Sequence, residues 1–393
     1  TYPDLLMAAG YHVGMTGKGW GPGDWESFRD TNPAGPIYDK FRNETPGDKI
    51  ANIDYSRNFI ENFLPQRKPG QPWCFWLGAK EPHRAYEDGN GLRRGKRLED
   101  AEVPGFFPDE TVVRSDLLDY AIEVEWYDTH VGRVIEHLRQ TGELDNTIVV
   151  MTSDHGMPFP RVKGQIYEMG FHLPLAIRWG NGIEPGRVVD DFINVRDFAP
   201  TFLAMAGVEK HPQITGQSFV NVLKAKGSGV VDPSRNVMLT GKERHDMGRP
   251  HDWGYPVRAI RTPDYLYVFN FETDRWPAGN PETGYRNVDD SPTKSRILET
   301  FDEFYEMSFG KRPERALYAI QEDPDCLHNL AYDPAQKEVV ESLHARMIAM
   351  LEAEGDPRVT GNAAFFDTIP YLGSHAHSWD TWLKSQAAPS VRD

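Results

Sequence analysis

The chain reads Asn146-Thr147-Ile148-Val149-Val150-Met151-Thr152-Ser153-Asp154-His155-Gly156 near its middle, and Lys163 and Tyr167-Glu168-Met169-Gly170 follow. Residues 148–151 are apolar and mostly β-branched, which is typical of a strand buried on both faces of a parallel sheet. In open α/β folds, binding and catalytic residues lie where such strands end. We therefore expect Asp154 and His155 at the C-terminal edge of a sheet, with Lys163 just beyond it.

Asp154 and His155 are candidate metal ligands. A carboxylate and an imidazole on successive residues reach one ion only if the backbone turns between them, and Gly156 permits such a turn. Lys163 adds a point charge that suits an anionic oxygen. A strand that merely ends in a helix cap, with Lys163 as a solvated surface charge, is the plain alternative for the Asp-His-Gly tripeptide.

Helical and strand-like patterns alternate through the first 223 residues. The clearest helix, at 116–141, carries an apolar stripe and stops at Gly142. Strands that alternate with helices predict an α/β fold, with a mostly parallel sheet flanked by helices on both faces. The other predicted elements are a helix at 3–10, a strand at 11–16, a helix at 55–64, strands at 73–78 and 174–179, and a helix at 195–206.

The pattern changes beyond residue 224. Residues 224–236 are rich in Gly, Ser and Pro, and they predict a linker. Residues 257–260 and 265–269 alternate around Thr262-Pro263-Asp264, which indicates a hairpin, and a helix is predicted at 335–355. We therefore predict a catalytic domain at 1–223, a linker at 224–236 and a smaller α+β subdomain at 237–393, built on an antiparallel sheet and a helix.

These motifs together resemble the formylglycine-dependent sulfatases of the alkaline-phosphatase superfamily. The family's strand, Ser-Asp-Asn/His-Gly, loop and Lys-Gly-x-x-Tyr-Glu-x-Gly-x-x-x-Pro match residues 153–174 position by position. Thr16-Gly17-Lys18 resembles its Gly-Lys element, and Lys80-Glu81-Pro82-His83 resembles its Pro-His element. Glu81-Pro82-His83-Arg84, Gly156-Met157-Pro158-Phe159-Pro160 and Tyr255-Pro256-Val257-Arg258 are most similar to the N-sulfoglucosamine sulfohydrolase (heparan N-sulfatase) branch.

The resemblance implies an alkaline-phosphatase-like fold and a sulfuric ester hydrolase. Its substrate would be a sulfated saccharide, namely the N- or O-sulfated glucosamine of glycosaminoglycans such as heparan sulfate. Lys18 and Lys163 match lysines that contact sulfate. His83 matches a histidine that donates a proton to the leaving group or contacts sulfate. Trp20 stands where the family has a further histidine, so the proton-handling role of that position is open.

The resemblance also implies a divalent metal, most often Ca²⁺, and a formylglycine nucleophile. Asp154 matches a metal-binding aspartate, while His155 replaces an asparagine; an imidazole nitrogen suits softer metals than an amide oxygen does, which leaves Mg²⁺ and Mn²⁺ open. Formylglycine derives from a Cys/Ser-x-Pro-x-Arg segment, and neither Cys74 nor Cys326 has Pro and Arg at the required offsets. We therefore expect the nucleophile in a missing N-terminal segment, and these residues alone to be inactive.

Substrate contacts are expected from the second half of the chain. His245 and Arg249 fall where the family places a loop over the sugar, and Arg275-Trp276 is a cation-plus-aromatic pair that suits a sulfated saccharide. A surface salt-bridge cluster would account for the same charged residues. His375 and His377 form a weak metal-binding pattern, because no third ligand accompanies them.

Two alternatives to a sulfatase stay open. A phosphonate monoester or phosphodiester hydrolase of the same superfamily is favoured by His155. A catalytically inactive fragment or binding protein is favoured by the missing nucleophile. Substrate preference would separate the first from a sulfatase, and an upstream Cys/Ser-x-Pro-x-Arg segment would remove the second.

The composition of the chain limits the classes of molecule that it is expected to bind. The chain has 393 residues and a formal charge of −16, which argues against nucleic acid. No apolar run approaches the roughly 18 residues of a membrane span, and two distant cysteines give no disulfide framework. By resemblance, the protein is periplasmic, secreted or lysosomal, and a homodimer is an open possibility.

Overall fold

The computed structural model describes residues 1–21, 24–43, 49–245, 247–371 and 378–387. The chain divides into two compact units, each assembled from separate stretches. The first unit comprises Thr1–Arg94, Asp119–Thr152 and Leu175–Asn236, and the second comprises Gly95–Leu118, Ser153–Pro174 and Val237–Asp393. The sequence boundary at 223 differs from this division, because tertiary contacts group 95–118 and 153–174 with the C-terminal part.

The first unit contains two pairs of strands. Strands β1 (His12–Gly17) and β2 (Trp73–Gly78) run parallel, with His12 opposite Trp73 and Gly17 opposite Gly78. Strands β3 (Val149–Thr152) and β4 (Leu175–Arg178) run antiparallel. The described strands therefore include one parallel pair, and the last predicted strand, at 174–179, reverses direction relative to β3. The larger, mostly parallel sheet stays a prediction.

The helices follow the predicted apolar patterns, with shifted ends. The helix predicted at 116–141 begins at Thr111, and the one predicted at 55–64 becomes an α-helical turn that continues as a π-helix at Asn58–Phe63. The α-helices are α1 (Tyr2–Ala8), α2 (Tyr55–Arg57), α3 (Asn90–Arg93), α4 (Thr111–Gln140), α5 (Glu168–Phe171), α6 (Phe198–Met205), α7 (Val220–Lys224), α8 (Pro292–Thr300), α9 (Glu303–Phe309), α10 (Lys337–Ala353), α11 (Phe365–Thr368) and α12 (Trp379–Ala387).

Two apolar clusters form much of the core of the first unit. In one, Phe59 and Leu138 are buried against side chains of β2 and β3. In the other, Leu6, Val13 and Leu203 join α1, β1 and α6. The side chains of β2 are shared between the two clusters, as the two-residue repeat of a strand requires.

The second unit is built on a four-stranded antiparallel sheet. Its strands, in spatial and chain order, are β5 (Met238–Lys242), β6 (Val257–Arg261), β7 (Tyr265–Asn270) and β8 (Arg315–Ala319). Alternate residues of β6 and β7 point to opposite faces, and both faces are apolar. One face packs against α10. The other packs against Ile166, Tyr167 and Phe171, so the sheet supports the segment that follows Lys163.

Within the residues that the structure describes, no helix combines the length and the apolar character needed to cross a membrane.

Candidate functional site

The turn after β3 presents a carboxylate and an imidazole side by side. Asp154 is 63% exposed, and its Oδ1 lies 3.7 Å from Nε2 of His155. The other ring nitrogen, Nδ1 of His155, is 2.7 Å from the Gly156 carbonyl oxygen. A carbonyl only accepts hydrogen bonds, so Nδ1 carries the proton, and in neutral His155 Nε2 keeps its lone pair on the side of Asp154.

Gly156 is required here by close packing. The Gly156 N–H donates to the Gly170 carbonyl at 3.1 Å. A Cβ at position 156 would lie 1.9 Å from the carbonyl oxygen of Met169, a distance that no side chain tolerates. The glycine therefore allows two backbone segments to touch and fixes the turn that carries Asp154 and His155.

Asp154 and His155 provide only part of the ligand set that a metal ion needs. Asp154 and His155 offer two ligand atoms, whereas Ca²⁺ takes about six to eight oxygens and Zn²⁺ about four ligands. No cluster of three or more His, Cys, Asp or Glu side chains arranged for a metal ion occurs within the described ranges. The described residues thus do not make a complete metal site by themselves.

Lys163 is held by a carboxylate from a distant part of the chain. Its side chain is 11% exposed, and Nζ donates to Oδ2 of Asp289 at 2.6 Å. An ammonium group in this position is charged, oriented and only partly hydrated. It has the properties needed to bind an anionic oxygen.

The loop of Lys163 is fixed by packing on Gly164. Gly164 has a left-handed backbone, with φ of +69°, and a Cβ there would lie 2.7 Å from Nδ1 of His245. The imidazole of His245 therefore sits directly against the backbone next to Lys163. Its Nδ1 is buried and has no hydrogen-bond partner among the described residues.

His245 is a neutral imidazole at physiological pH. Burial is the main cause that lowers the pKa of His245 to about 3; nearby Lys242 and Lys163 act in the same direction, and Asp289 opposes them. The sequence prediction placed His245 at the substrate. In the structure it touches the Lys163 loop.

Lys242, at the end of β5, is a half-buried lysine that the sequence patterns did not reveal. Its Nζ donates to the Gly164 carbonyl at 2.5 Å and lies 3.5 Å from the Pro277 carbonyl. Burial, followed by the charges of Arg249 and Arg312, holds the pKa of Lys242 well below its usual value. Lys242 thus binds the Gly164 carbonyl, while the His245 ring packs against the Gly164 Cα.

The other predicted substrate residues make mainly structural contacts. Arg249 is 2% exposed, and its guanidinium donates to the carbonyls of Trp276 and Pro277 at 2.6 and 2.9 Å. Arg275 donates to both carboxylate oxygens of Asp367, at 3.3 and 3.2 Å. These contacts favour structural roles for both arginines. The Trp276 ring remains partly exposed, with Nζ of Lys311 5.5 Å from its centre.

Lys18 and His83 lie in the first unit, after neighbouring strands. The Lys18 N–H donates to the Gly78 carbonyl at 2.6 Å, which ties the ends of β1 and β2 together. Both side chains are exposed, and Nδ1 of His83 lies 2.6 Å from the Arg84 carbonyl. Because parallel strands end at the same edge, the two residues follow strands at one edge of this pair.

The structure brings Lys163 and His245 together and adds two residues that the sequence analysis did not name. Asp289 and Lys242 were missed because neither stands in a recognisable motif. A helix-capping signal lies two residues after Asp289: the side chain of Ser291 caps α8 by accepting a hydrogen bond from the Lys294 N–H. His375 and His377 lie outside the described residues.

Comparison with known proteins gives a family match. Residues 1–208 match the model of the Sulfatase family. The chain is 28% identical over 264 residues to an ulvan-active sulfatase of Formosa agariphila, a match that covers 65% of this chain and 41% of that protein. It is 24% identical over 403 residues to human N-sulphoglucosamine sulphohydrolase, covering 91% of this chain and 74% of that protein.

The chain spans about half the length of the ulvan-active sulfatases it matches, 41% of one and 53% of a second from the same organism. Among solved structures, it is similar to a protein in complex with its substrate D-glucosamine-2-N,6-O-disulfate, with a TM-score of 0.60, 18% identity and coverage of 92% and 83% of the two chains. A phosphonate monoester hydrolase from Silicibacter pomeroyi gives a TM-score of 0.51 and 19% identity, with coverage of 91% and 70%. At these identities the likeness shows the fold alone.

Proposed function

The chain belongs to the sulfatase family, and on that basis we propose that it acts in the hydrolysis of sulfated saccharides, at N- or O-sulfated glucosamine of glycosaminoglycans. Water is added across an S–N or S–O bond. Sulfur leaves as inorganic sulfate, and the sugar keeps an amine or a hydroxyl group. The observation that carries this proposal is the oriented, partly buried ammonium group of Lys163, held by Asp289.

The proposed roles follow the charges of the side chains. Lys163 and Lys18 bind sulfate oxygens, and their ammonium groups offset the charge that builds up as the sulfur bond breaks. His83 donates a proton to the departing sugar amine or oxygen. Trp276 offers an apolar, partly exposed ring to the sugar. His245 acts less by touching the sugar than by holding the backbone next to Lys163.

A divalent metal and a formylglycine nucleophile belong to the proposal as features of the family. Asp154 and the Nε2 lone pair of His155 would contribute two ligands to the metal, which when bound polarises sulfate oxygens. Ca²⁺ is the first choice; the nitrogen ligand leaves Mg²⁺ and Mn²⁺ as the next ones. Calorimetric titration of Ca²⁺ and Mn²⁺ into the protein and its Asp154→Ala variant tests this role, because equal affinities would remove Asp154 from the metal site.

The function is tested by measuring inorganic sulfate released from N-sulfated and from 6-O-sulfated glucosamine. The preparation must contain formylglycine, as verified by peptide mass. We expect sulfate release that falls about 100-fold or more in Lys163→Met, as for other lost transition-state contacts. Lys226→Met, an exposed lysine, is the matched control and should keep full activity. The 393 residues without a nucleophile should turn over neither sugar.

One alternative reaction has a specific observation in its favour. His155 supplies a nitrogen where the family's asparagine supplies an oxygen, which suits a phosphonate monoester or phosphodiester hydrolase of the same superfamily. The same assay with an aryl phosphonate monoester decides between the two. Faster release of the phosphonate than of sulfate would overturn the sulfatase proposal, and no turnover of either by a formylglycine-containing preparation would indicate a binding protein.

The fold and setting of the protein are part of the same proposal. We expect a larger, mostly parallel sheet flanked by helices, as in alkaline-phosphatase-like enzymes. A periplasmic, secreted or lysosomal location fits a substrate found outside the cytoplasm, and a homodimer is the assembly to test first by light scattering.

A further inference from the structure

The loop between β5 and β6 carries two exposed aromatic rings that the proposed reaction does not use. His251 is exposed, and Trp253 is 39% exposed, whereas tryptophan side chains are usually well buried. The centres of the two rings lie 4.7 Å apart, with an angle of 42° between their planes. Exposed aromatic rings supply large contact areas in binding sites. We call this pair of rings, His251 and Trp253, the aromatic platform.

The backbone of the loop holds the aromatic platform in an unusual conformation. His251 and Asp252 both have a left-handed backbone, with φ of +59° and +53°. Two such residues in succession are uncommon without glycine, and they persist where surrounding contacts hold them. Here the Asp252 N–H donates to the Arg249 carbonyl at 2.8 Å, and Oδ1 of Asp252 accepts from the Trp379 N–H at 2.9 Å. The loop is therefore fixed in the shape that presents the two rings.

Arg275 supports the ring of Trp253. The central carbon of its guanidinium lies 4.7 Å from the ring centre, and the guanidinium donates to the Gly254 carbonyl at 3.0 Å. The carboxylate of Asp367 accepts two further hydrogen bonds from the same group. A ring packed against a fixed guanidinium loses little freedom when a ligand binds. Because Asp367 already pairs with Arg275, we expect the aromatic platform to bind through ring contact and not through charge.

One buried guanidinium positions both Trp253 and Trp276. Arg249 donates to the Trp276 carbonyl at 2.6 Å and to the Trp253 carbonyl at 3.4 Å. The two carbonyl groups bind the same guanidinium, so the two backbone segments lie close together. Trp276 is the ring that we assigned to the reacting sugar. The aromatic platform thus stands beside a proposed sugar contact, on the same buried anchor.

We propose that the aromatic platform binds a second sugar of the substrate, linked to the sulfated glucosamine that reacts. This inference rests on the proposed function and extends its substrate from a single sugar to an oligosaccharide. The C–H face of a pyranose ring is apolar and similar in size to an aromatic ring, so stacking buries apolar surface and gains dispersion energy. A nucleobase would also stack, but the formal charge of −16 disfavours a nucleic-acid chain.

The test compares the affinities of an oligosaccharide and a monosaccharide for the 393-residue chain. The probes are an N-sulfated heparan tetrasaccharide and N-sulfated glucosamine, and titration calorimetry measures both. We expect the wild type to bind the tetrasaccharide about ten-fold more tightly than the monosaccharide, the factor that one aromatic contact supplies. Trp253→Ala should lose this advantage and leave the monosaccharide affinity unchanged.

Two further variants separate a lost contact from a damaged fold. Trp253→Phe keeps an aromatic ring and should retain most of the tetrasaccharide advantage. Tyr332→Ala removes a ring that is 64% exposed beyond β8, and it should leave both affinities at the wild-type values. Loss of the advantage in all three variants would mean that the effect is not specific to the aromatic platform, and would overturn the inference.

The remaining outcomes also decide. Equal losses for the two probes in Trp253→Ala would assign Trp253 to the reacting sugar and overturn the inference. An unchanged tetrasaccharide affinity in that variant would overturn it as well, and so would a wild type that binds both probes equally or binds neither. Failure of the proposed function is a separate result: sulfate release by the formylglycine-containing preparation would be absent, while the tetrasaccharide advantage and its loss in Trp253→Ala would persist.

Discussion

At the scale of single residues, the candidate site is a set of contacts around Lys163. Asp289 binds its ammonium group, while Lys242 and His245 hold the adjacent Gly164 by its carbonyl and its Cα. A lysine side chain has many rotamers, and each contact reduces the conformational freedom that binding would otherwise cost. The cluster is therefore arranged to keep one positive charge in one place.

The Asp289 contact makes a measurable contribution to stability. Asp289→Asn leaves the partly buried Lys163 charge without its carboxylate, and we expect the free energy of unfolding to fall by about 1–2 kcal/mol. Asp264→Asn is the control, because Asp264 is exposed in the turn between β6 and β7 and its neutralisation should change little. Denaturant unfolding at pH 7 measures both. Equal losses in the two variants would mean that Asp289 does not hold Lys163 in solution.

His245 predicts a pH dependence. Its pKa is about 3 in the folded protein and about 6.5 in the unfolded chain, so the unfolded state binds an extra proton between these values. Stability should therefore fall as pH drops from about 6.5 toward 3, by up to about 1.4 kcal/mol per pH unit from this group.

The variant His245→Phe isolates that effect. It keeps an apolar ring against Gly164 and removes the proton, so its stability should match that of the wild type at pH 8 and fall less steeply below pH 6.5. His328→Phe alters an exposed histidine and should keep the wild-type slope. Urea unfolding at several pH values gives the comparison. A slope that His245→Phe leaves unchanged would show that His245 titrates normally in the folded state.

At the scale of elements, α5 is tied to the sheet of the second unit. Glu168 on α5 receives two hydrogen bonds from Arg261 of β6, at 2.8 and 2.9 Å. Burial alone would raise the pKa of Glu168, but hydrogen bonds from His172 and Arg261 outweigh it and lower the pKa to about 2. This ion pair orients the segment between the Lys163 loop and the apolar face of the sheet.

The ion pair should stabilise the protein above pH 4.5. A depressed carboxyl pKa contributes stability that is lost as pH falls from about 4.5 toward 2. Glu168→Gln removes the carboxylate that pairs with the buried Arg261, so we expect a loss of about 2–4 kcal/mol at pH 7 that shrinks in acid. Glu209→Gln, in an exposed loop, is the matched control. A loss that is equal at pH 7 and pH 3 would assign the effect to packing instead of charge.

The turn that carries Asp154 and His155 predicts a strong glycine requirement. Gly156→Ala forces a methyl group against the Met169 carbonyl and should destabilise the protein by about 1–3 kcal/mol, as overpacking does. Gly132→Ala is the control, because a Cβ there meets no atom and the site lies within α4, where alanine favours the helix. The midpoint temperature of thermal unfolding should be lower in Gly156→Ala than in the wild type, and higher in Gly132→Ala. Two equal shifts would contradict the close contact.

At the scale of the whole molecule, an acidic protein contains a basic cluster. Acidic residues number 59 and Lys plus Arg 43, which gives the formal charge of −16. Lys163, Lys242 and Arg249 nevertheless gather near His245, where their charges influence one another. Short-range charges outweigh distant ones at 0.15 M salt, where the screening length is about 8 Å. Net charge therefore does not exclude an anionic substrate.

The excess negative charge should make stability depend on salt. Raising NaCl from about 10 to 150 mM shortens the screening length from about 30 to 8 Å and weakens like-charge repulsion, so we expect the unfolding midpoint to rise by a few degrees. Glu209→Lys reduces the net charge by two units at an exposed position and should show a smaller rise. Calorimetry at both salt concentrations measures the effect. A midpoint that falls with salt would mean that local ion pairs dominate over net repulsion.

Local patterns in the sequence were enough to locate many elements. The strand at 73–78 was predicted within its observed bounds, and the hairpin around Thr262-Pro263-Asp264 pairs antiparallel as its alternation indicated. The sulfatase family was also recognisable from the residues after β3, and the match over residues 1–208 confirms it. These features depend on residues close together in the chain, where side-chain periodicity and turn chemistry determine the structure.

What the sequence by itself determined is therefore the family, many of the elements and the identity of Asp154, His155 and Lys163 as candidates. Only the tertiary structure paired Lys163 with Asp289, 126 positions away, placed His245 against Gly164, buried Arg249 and grouped 153–174 with the C-terminal sheet. Such contacts depend on which apolar faces pack together and which charges lose water in the process. Neither is encoded in the spacing of neighbouring residues.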